Sequence, residues 1–183
     1  MKIVFFTFYY PPDLSAGSFR SIALAKALSS KMEEGDELHV ITTHPNRYAN
    51  LRVVADDLEV DGKITVHRIA VPTHQSEMVS QARSFWVYAV SAYSLSRKIN
   101  PNFLIGTTGR LMTGVLTGIT AYTLSIRYFI DLRDIFSETM SDLFSRKNRL
   151  LGLIAKKLFS FIDRRLLSNA AGVNVVSEGF PEY

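Results

Sequence analysis

Short apolar runs and longer stretches with helical spacing alternate along most of the chain. Six runs rich in Val, Ile, Phe and Tyr have the length and composition of buried strands. They cover residues 2–10, 37–43, 64–71, 102–107, 128–131 and 172–176. The dipeptide Asp61-Gly62, just before the third run, predicts a turn.

Helical spacing fills most of the intervals between these strands. A first helix is predicted after the turn at residues 11–18, and a second of about twenty residues ends at Asn100-Pro101. Further helices are predicted at residues 111–125 and 145–168. Strands that alternate with helices predict a parallel sheet with right-handed crossovers. We therefore expect an α/β fold: a Rossmann-like parallel sheet of about six or seven strands with helices on both faces.

The length of the chain and its apolar segments limit the architecture further. A chain of 183 residues fits a single domain. Residues 111–126 are uncharged but too few to span a bilayer comfortably, so they predict a helix buried between the sheet and a neighbour. The apolar run at the N-terminus ends at Pro11-Pro12-Asp13 without a cleavage-like site and is interpreted as a strand, not a signal peptide. A cytoplasmic location is the expectation.

Composition excludes several kinds of chemistry. The chain has no cysteine, so disulfides, thiol catalysis and Cys-ligated metals are ruled out. Its four histidines show no metal-like pairing, and no metal is expected. Residues 1–142 are electrically balanced, and the whole excess of +4 lies in residues 143–183. This excess is small and lacks a basic platform interleaved with aromatics, so no nucleic-acid partner is expected.

Four charged side chains crowd the end of the fifth predicted strand: Asp131, Arg133, Asp134 and Glu138. Open α/β sheets bind their ligands outside the carboxyl ends of the strands, which makes these residues candidates for catalysis. The alternative is structural, because Arg133 could simply pair with Asp131 or Asp134 to close a strand–helix loop.

The loops after the first two strands hold the next candidates. Gly17, at a helix start, lets the backbone approach a ligand, and Arg20 adds a positive charge one turn later. The alternative there is an ordinary strand–helix turn. After the second strand, His44, Arg47 and Tyr48 are candidates to line a cleft, and a polar surface loop is the alternative.

The order of these motifs resembles the N-terminal domain of family 4 glycosyltransferases, which have the GT-B fold. The resemblance extends from one end of the chain to the other. It rests on Pro11-Pro12-Asp13 with Ala16-Gly17, on the second strand and its exit at residues 37–45, on Asp131-x-Arg133-Asp134 followed by Phe136 and Glu138, and on residues 171–180 with their Ser-Glu-Gly turn.

The resemblance implies a function and a set of partners. The expected reaction is retaining transfer of a sugar from a nucleotide-diphosphate sugar, which is a substrate and not a cofactor, to a hydroxyl of a glycan or lipid-linked acceptor. The expected pathway is surface polysaccharide or lipid-linked glycan assembly. By this resemblance the chain would be the acceptor-side domain, and we expect the donor-binding C-terminal domain to be absent from it. The catalytic set would be Asp131, Arg133, Asp134 and Glu138, and the substrate-binding set would be Asp13, Gly17, Arg20, His44, Arg47 and Tyr48.

The last predicted helix, at residues 145–168, separates basic from apolar residues. Arg149, Lys156, Lys157 and Arg164 fall within an arc of about 100°. The apolar residues on the other side are Leu150, Leu151, Ile154, Leu158, Phe161 and Ile162. One interpretation is a core helix with a solvated basic face. The other is peripheral contact with the inner face of an anionic membrane. The second interpretation leaves a rival function open: a non-catalytic membrane-docking subunit that recruits a separate donor-binding partner.

Overall fold

The computed structural model describes residues 1–45, 54–72, 78–109, 111–133 and 149–175. Within them the strands are β1 (Lys2–Phe6), β2 (Glu37–Thr43), β3 (Leu58–Asp61), β4 (Ile64–Ile69), β5 (Phe103–Thr107), β6 (Arg127–Leu132) and β7 (Gly172–Val175). The helices are α1 (Ala16–Ser29), α2 (Met78–Ile99), α3 (Leu111–Leu124) and α4 (Arg149–Ser168).

The strands form one sheet in the order β3-β4-β2-β1-β5-β6-β7. Every neighbouring pair is parallel except β3 with β4. The expected α/β Rossmann-like fold is confirmed, and each of the six predicted strands is present. The chain winds outward from β1 in one direction through β2 and β4, and in the other through β5, β6 and β7. The point where the winding direction changes therefore lies between β1 and β5.

The seventh strand, β3, was not predicted from the sequence. It pairs antiparallel with β4 at the edge of the sheet, and all four of its residues are exposed. Its sequence Leu58-Glu59-Val60-Asp61 does alternate apolar and polar residues, but only over four positions, the shortest run that indicates a strand. The predicted turn is there: Gly62 has φ +59°, a conformation that favours glycine, between the two strands of the hairpin.

Side chains on the two faces of the sheet build two separate cores. Along β1, Ile3 and Phe5 join the core that α1 covers. Val4 and Phe6 alternate with them and join the core on the opposite face, which receives side chains from α2, α3 and α4. Such alternation is the period of a strand that is covered on both faces. Helices on both faces were expected and are found.

Glycines let α3 approach its neighbours closely. A Cβ on Gly106 of β5 would stand 2.0 Å from the Thr117 hydroxyl of α3, so only glycine fits there. A Cβ on Gly118 would meet Leu166 of α4 at 2.9 Å. Since α3 also contacts α2, the helices lie in the order α2, α3, α4 across one face of the sheet.

Two expectations about these helices need correction. Thr113 and Thr117 of α3 are buried against the sheet, but Tyr122 on its outer side is 86% exposed, so α3 is buried on one side only. In α4 the buried contact is made by Leu166, near its C-terminal end. Its predicted core side is instead largely exposed: Leu150, Ile154, Leu158 and Phe161 each keep more than half of their surface, Ile162 is half-buried, and the side chain of Leu151 lies outside the described residues. The periodicity identified an amphipathic helix correctly but could not tell which side meets the sheet.

No helix in the described part of the chain combines the length and apolar character needed to cross a bilayer.

Candidate functional site

Three strand ends meet beside the point where the winding direction changes. The loop after β1 leads into α1, β5 ends at Thr107, and β6 ends at Leu132. β1 is hydrogen-bonded to β5, and β5 to β6, so their carboxyl ends lie side by side. Ligands of open α/β sheets bind at such a position. The candidate residues of two distant stretches of sequence are brought together there.

Asp131 is the centre of the polar network at this edge. Its carboxylate is 1% exposed and accepts four hydrogen bonds. Arg20 donates from Nε to Oδ2 (3.0 Å) and from Nη2 to Oδ1 (2.7 Å), a bidentate pair. Arg133 donates from Nε to Oδ2 at 3.1 Å, and Asn174 of β7 donates from Nδ2 to Oδ1 at 2.7 Å. Both carboxylate oxygens are therefore occupied.

These contacts keep Asp131 ionised. Burial by itself raises the pKa of this carboxyl, but the hydrogen bonds from Arg20, Asn174 and Arg133 outweigh it, and the pKa lies below its usual value. The same contact acts on the other partner, since the hydrogen bond to Asp131 raises the pKa of the Arg20 guanidinium. A carboxylate with a lowered pKa and no spare lone pair is a poor proton acceptor, but it holds two arginines in place well.

Arg133 ties the end of β6 to the start of α1. Its side chain is 10% exposed, and besides Asp131 it donates from Nη1 to the Gly17 carbonyl (3.0 Å) and from Nη2 to Ser21 Oγ (3.2 Å). Its backbone N–H donates to Thr108 Oγ1 at 2.8 Å. The ion pair between Arg133 and Asp131 that the sequence left open is present. The Arg133 side chain also bonds the start of α1, so it joins two segments of the chain and does more than close the end of one strand.

The start of α1 is built to meet this arginine. Ser15 is the N-cap, and its hydroxyl accepts from the N–H of Ser18 at 3.1 Å. A Cβ on Gly17 would lie 3.2 Å from Arg133 Nη1, so glycine allows the close approach. Ser21 also bonds the Gly17 carbonyl and the Thr7 hydroxyl. The first turn of α1 is thus fixed to both β1 and β6.

Buried polar side chains hold the loop after β1. The hydroxyls of Thr42 and Thr43 both donate to the Phe8 carbonyl, and the single proton of the fully buried Tyr88 hydroxyl is shared between the carbonyls of Ile41 (2.8 Å) and Thr7 (3.2 Å). Arg68 of β4 donates to the Pro11 carbonyl at 2.8 Å. Thr42 and Thr43 begin the polar stretch at the end of the second predicted strand, but Arg68, Tyr88, Ser21, Thr108 and Asn174 were not predicted from the sequence. The available signal for Arg68, Thr108 and Asn174 was a position at or close to a strand end, whereas Ser21 and Tyr88 lie within helices.

The ten predicted catalytic and substrate-binding residues divide into three groups: those of the Asp131 network, those described elsewhere, and those outside the described residues. Gly17, Arg20, Asp131 and Arg133 form one contiguous network. Asp13 is buried, and its backbone forms a turn with Tyr10 and Ser15. His44 donates from Nε2 to Asp57 Oδ1 at 2.8 Å and is not joined to the Asp131 network by any described hydrogen bond. Four candidates lie outside the described residues: Arg47, Tyr48, Asp134 and Glu138.

The described network fits an anionic ligand. Two guanidinium groups and one carboxylate leave a net charge of +1 at the edge of the sheet, and Arg20 is 36% exposed there. The N–H groups in the first turn of α1 add a partial positive charge, since no acidic residue occupies that turn. Among the described residues, no group of three His, Asp or Glu side chains is arranged to hold a metal ion.

Comparison with known proteins shows similarity in fold but not in sequence. No family model and no curated protein matches the chain. Among solved structures, the sucrose-phosphate synthase of Thermosynechococcus elongatus matches all of this chain and 80% of its own, with a TM-score of 0.59 and 12% identity. A UGT transferase from Siraitia grosvenorii, solved in complex with UDP, matches 95% of this chain with a TM-score of 0.53 and 12% identity; this chain spans 44% of that one. The likeness establishes the fold alone: the Rossmann-like α/β architecture of this chain is similar to part of these two glycosyltransferases.

Proposed function

We propose that this chain is the acceptor-binding domain of a retaining family 4 glycosyltransferase. The enzyme would move a sugar from a nucleotide-diphosphate sugar to a hydroxyl of a glycan or lipid-linked acceptor, in the assembly of a surface polysaccharide or lipid-linked glycan. The observation that carries the proposal is the pair of arginines fixed on Asp131, beside the β1–β5 junction of a fold shared with glycosyltransferases.

The chemistry gives each residue of the network a separate task. Negative charge develops on the leaving diphosphate as the sugar–phosphate bond breaks, and fixed positive groups aimed at that charge stabilise the transition state. Arg20, partly exposed, is the group that would contact the phosphate. Asp131 and Arg133 are positioning residues in this proposal: the first orients Arg20, and the second fixes the Gly17 loop.

A protein base is not required by the proposed reaction. In retaining transfer of this type the leaving phosphate takes the proton of the acceptor hydroxyl as the new glycosidic bond forms. The low pKa of Asp131 is therefore compatible with the proposal. Asp134 and Glu138, together with His44, Arg47 and Tyr48, remain candidates for orienting the acceptor.

A first experiment tests the division of labour between domains. The donor-binding domain supplies most of the contacts to the nucleotide in the proposed enzyme, so the purified chain should be folded but inactive. We expect no release of nucleotide from UDP-, GDP- or ADP-sugars above the rate without protein. Efficient turnover by the 183-residue chain alone would contradict the two-domain interpretation.

A second experiment tests the arginines in an enzyme that joins this domain to its donor-binding domain. Arg20→Lys keeps the charge but loses the planar bidentate contact. Loss of one positioned electrostatic contact typically costs 10²–10³ in rate, so we expect kcat/KM to fall at least about tenfold. Arg127→Lys, the same change at an exposed position at the opposite end of β6, is the matched control. Near-parental kinetics in Arg20→Lys, with the fold intact, would reject the proposed role.

A second candidate function is a non-catalytic subunit that docks on a membrane and recruits a separate donor-binding partner. The exposed apolar residues of α4, beside Lys156 and Lys157, favour keeping this alternative. Co-purification separates the two functions: a stable complex with a separately encoded donor-binding protein, active only as the complex, would favour the subunit. Activity of one continuous chain would favour the enzyme.

A further inference from the structure

We infer that the outer surface of the helical layer formed by α2, α3 and α4 docks on an anionic lipid bilayer. The inference goes beyond the proposed enzyme, because it concerns a face of the sheet and not the edge where the Asp131 network lies, and it extends the membrane contact of the second candidate function from α4 to all three helices. It rests on three observations: large apolar side chains exposed on all three helices, the sign of the charge around them, and the contrast with the opposite face.

The exposed stripe of α2 runs directly opposite its buried side. Tyr88 and Ala92 are fully buried against the sheet. On the other side, Val79, Trp86 and Val90 are 79%, 71% and 51% exposed. At 100° per residue these three fall within an arc of about 40°. Such an arrangement places a tryptophan at the centre of an apolar ridge that faces away from the protein.

The neighbouring helices continue this apolar surface. On α3, Ile119 and Tyr122 are exposed, and on α4, Ile154, Leu158 and Phe161 are exposed. Since α3 contacts both α2 and α4, the three helices present their outer sides on one face of the molecule. In contrast, α1 on the opposite face, which is described throughout, exposes only Phe19 among its large apolar residues. Exposed apolar surface of this extent marks an interaction site.

The positive charge of the helical layer formed by α2, α3 and α4 favours an anionic partner. The sequences of α2, α3 and α4 contain eight Lys or Arg and a single acidic residue, Asp163, so the layer carries a formal charge of +7, while the whole chain carries +4. Arg83 and Arg97 fall on the apolar stripe of α2, and Lys157 and Arg164 fall among the exposed apolar residues of α4. All four side chains are exposed.

This combination matches a membrane surface better than a second copy of the chain. A two-fold interface would bring one +7 face against another, which like-charge repulsion opposes. An anionic bilayer offers the complementary charge together with an apolar interior for Trp86, Ile154 and Phe161. Tryptophan and tyrosine favour the interfacial region, and Lys and Arg beside them reach the lipid headgroups.

The position of the candidate site is compatible with this docking. The helical layer covers one face of the sheet, whereas the Asp131 network lies at the carboxyl edge of the strands. A protein resting on its helical face would hold this edge beside the headgroups and leave it uncovered.

Trp86 provides a direct probe, because it is the only tryptophan of the chain. The purified chain is mixed with vesicles of phosphatidylcholine alone or of phosphatidylcholine with phosphatidylglycerol. We expect the protein to float with the anionic vesicles, the Trp86 emission to shift to the blue, and brominated acyl chains to quench it. Added salt should weaken the binding. Absence of a shift and of flotation on anionic vesicles would overturn the inference, as would concentration-dependent self-association in place of lipid binding.

Paired charge reversals locate the surface. Lys157→Glu with Arg164→Glu should lower the partition coefficient at least about tenfold, since each basic residue near an anionic surface contributes of the order of a five-fold factor. Lys26→Glu with Lys31→Glu changes the net charge equally from exposed positions on and just after α1, on the other face, and is the matched control. Circular dichroism checks that both variants are folded. Equal losses in the two variants would mean that only total charge matters and would overturn the assignment to this face.

Discussion

Replacing Asp131 by asparagine tests whether the polar network at the sheet edge depends on this one carboxylate. The substitution keeps the shape and removes the charge. At present Oδ2 accepts from Arg20 and Arg133, and Oδ1 accepts from Arg20 and Asn174. Whichever way an asparagine amide is turned, its NH₂ group faces two of these donors. Two of the four hydrogen bonds are therefore lost, and donors face donors.

The expected cost follows from burial. Removing one partner of a buried ion pair typically costs about 3–5 kcal/mol, because the remaining charge is left without compensation. Arg133 is 10% exposed and meets that condition, whereas Arg20 is 36% exposed and can regain water. We therefore expect Asp131→Asn to lower the free energy of unfolding by about 3 kcal/mol, at the low end of that range. Domains of this kind have about 5–15 kcal/mol in total, so the variant should still fold.

Urea denaturation at neutral pH measures the difference in free energy of unfolding between the parent and Asp131→Asn. Repeating the measurement at lower pH checks independently that the ionised carboxylate is stabilising. The pKa of Asp131 is lowered in the folded protein, so its contribution is present above the unfolded pKa of about 3.9 and is lost as pH falls through the folded value. The difference in free energy of unfolding between the parent and Asp131→Asn should therefore become smaller at acidic pH. Asp57→Asn is the control: the same change at a carboxylate that is 93% exposed should cost less than about 1 kcal/mol. A loss below about 1 kcal/mol for Asp131→Asn, or a gap that does not depend on pH, would refute the reasoning.

Three further predictions concern packing and pH. Gly106→Ala should destabilise the fold by about 3 kcal/mol or more, because its Cβ would stand 2.0 Å from the Thr117 hydroxyl, and adding Thr117→Ala should recover part of the loss in a double-mutant cycle measured with urea. Gly17→Ala should cost less, about 1 kcal/mol, since the Cβ would lie 3.2 Å from the movable Arg133 guanidinium; a cost above that of Gly106→Ala would contradict this ranking. Burial, and then a neighbouring histidine, lowers the pKa of His67, so the unfolded state binds its proton more tightly and stability should fall as pH drops below about 6.5. His67→Gln should flatten that part of the pH–stability curve, and an unchanged slope would assign it to other groups.

The order of strands and helices was predictable because each signal is local. An apolar run such as residues 103–107 or 128–131 needs no distant information to be recognised as a strand that is covered on both faces. The same holds for the charges just past the fifth predicted strand and for the Ala16-Gly17 turn, since ligands gather at the carboxyl ends of parallel strands. The sequence by itself therefore determined the fold class and two of the loops that form the candidate site.

Which strands are neighbours, and what meets at their ends, was decided by the tertiary structure. Arg20 and Asp131 are 111 positions apart, and their bidentate contact exists because β5 places β6 close to the loop after β1. Asn174 reaches the same carboxylate because β7 pairs with β6. No local pattern encodes these distances.

The outer surfaces were likewise decided by packing. The strand β3 alternates apolar and polar residues over only four positions, none of them buried, and its place at the sheet edge follows from its pairing with β4. In α4 the helical period predicted an amphipathic helix, but Leu166 contacts the core while Ile154, Leu158 and Phe161 remain exposed. Periodicity fixes the angular spacing of side chains within one helix, whereas the side that becomes buried depends on the neighbouring elements. Only the assembled sheet and its helices determine that side.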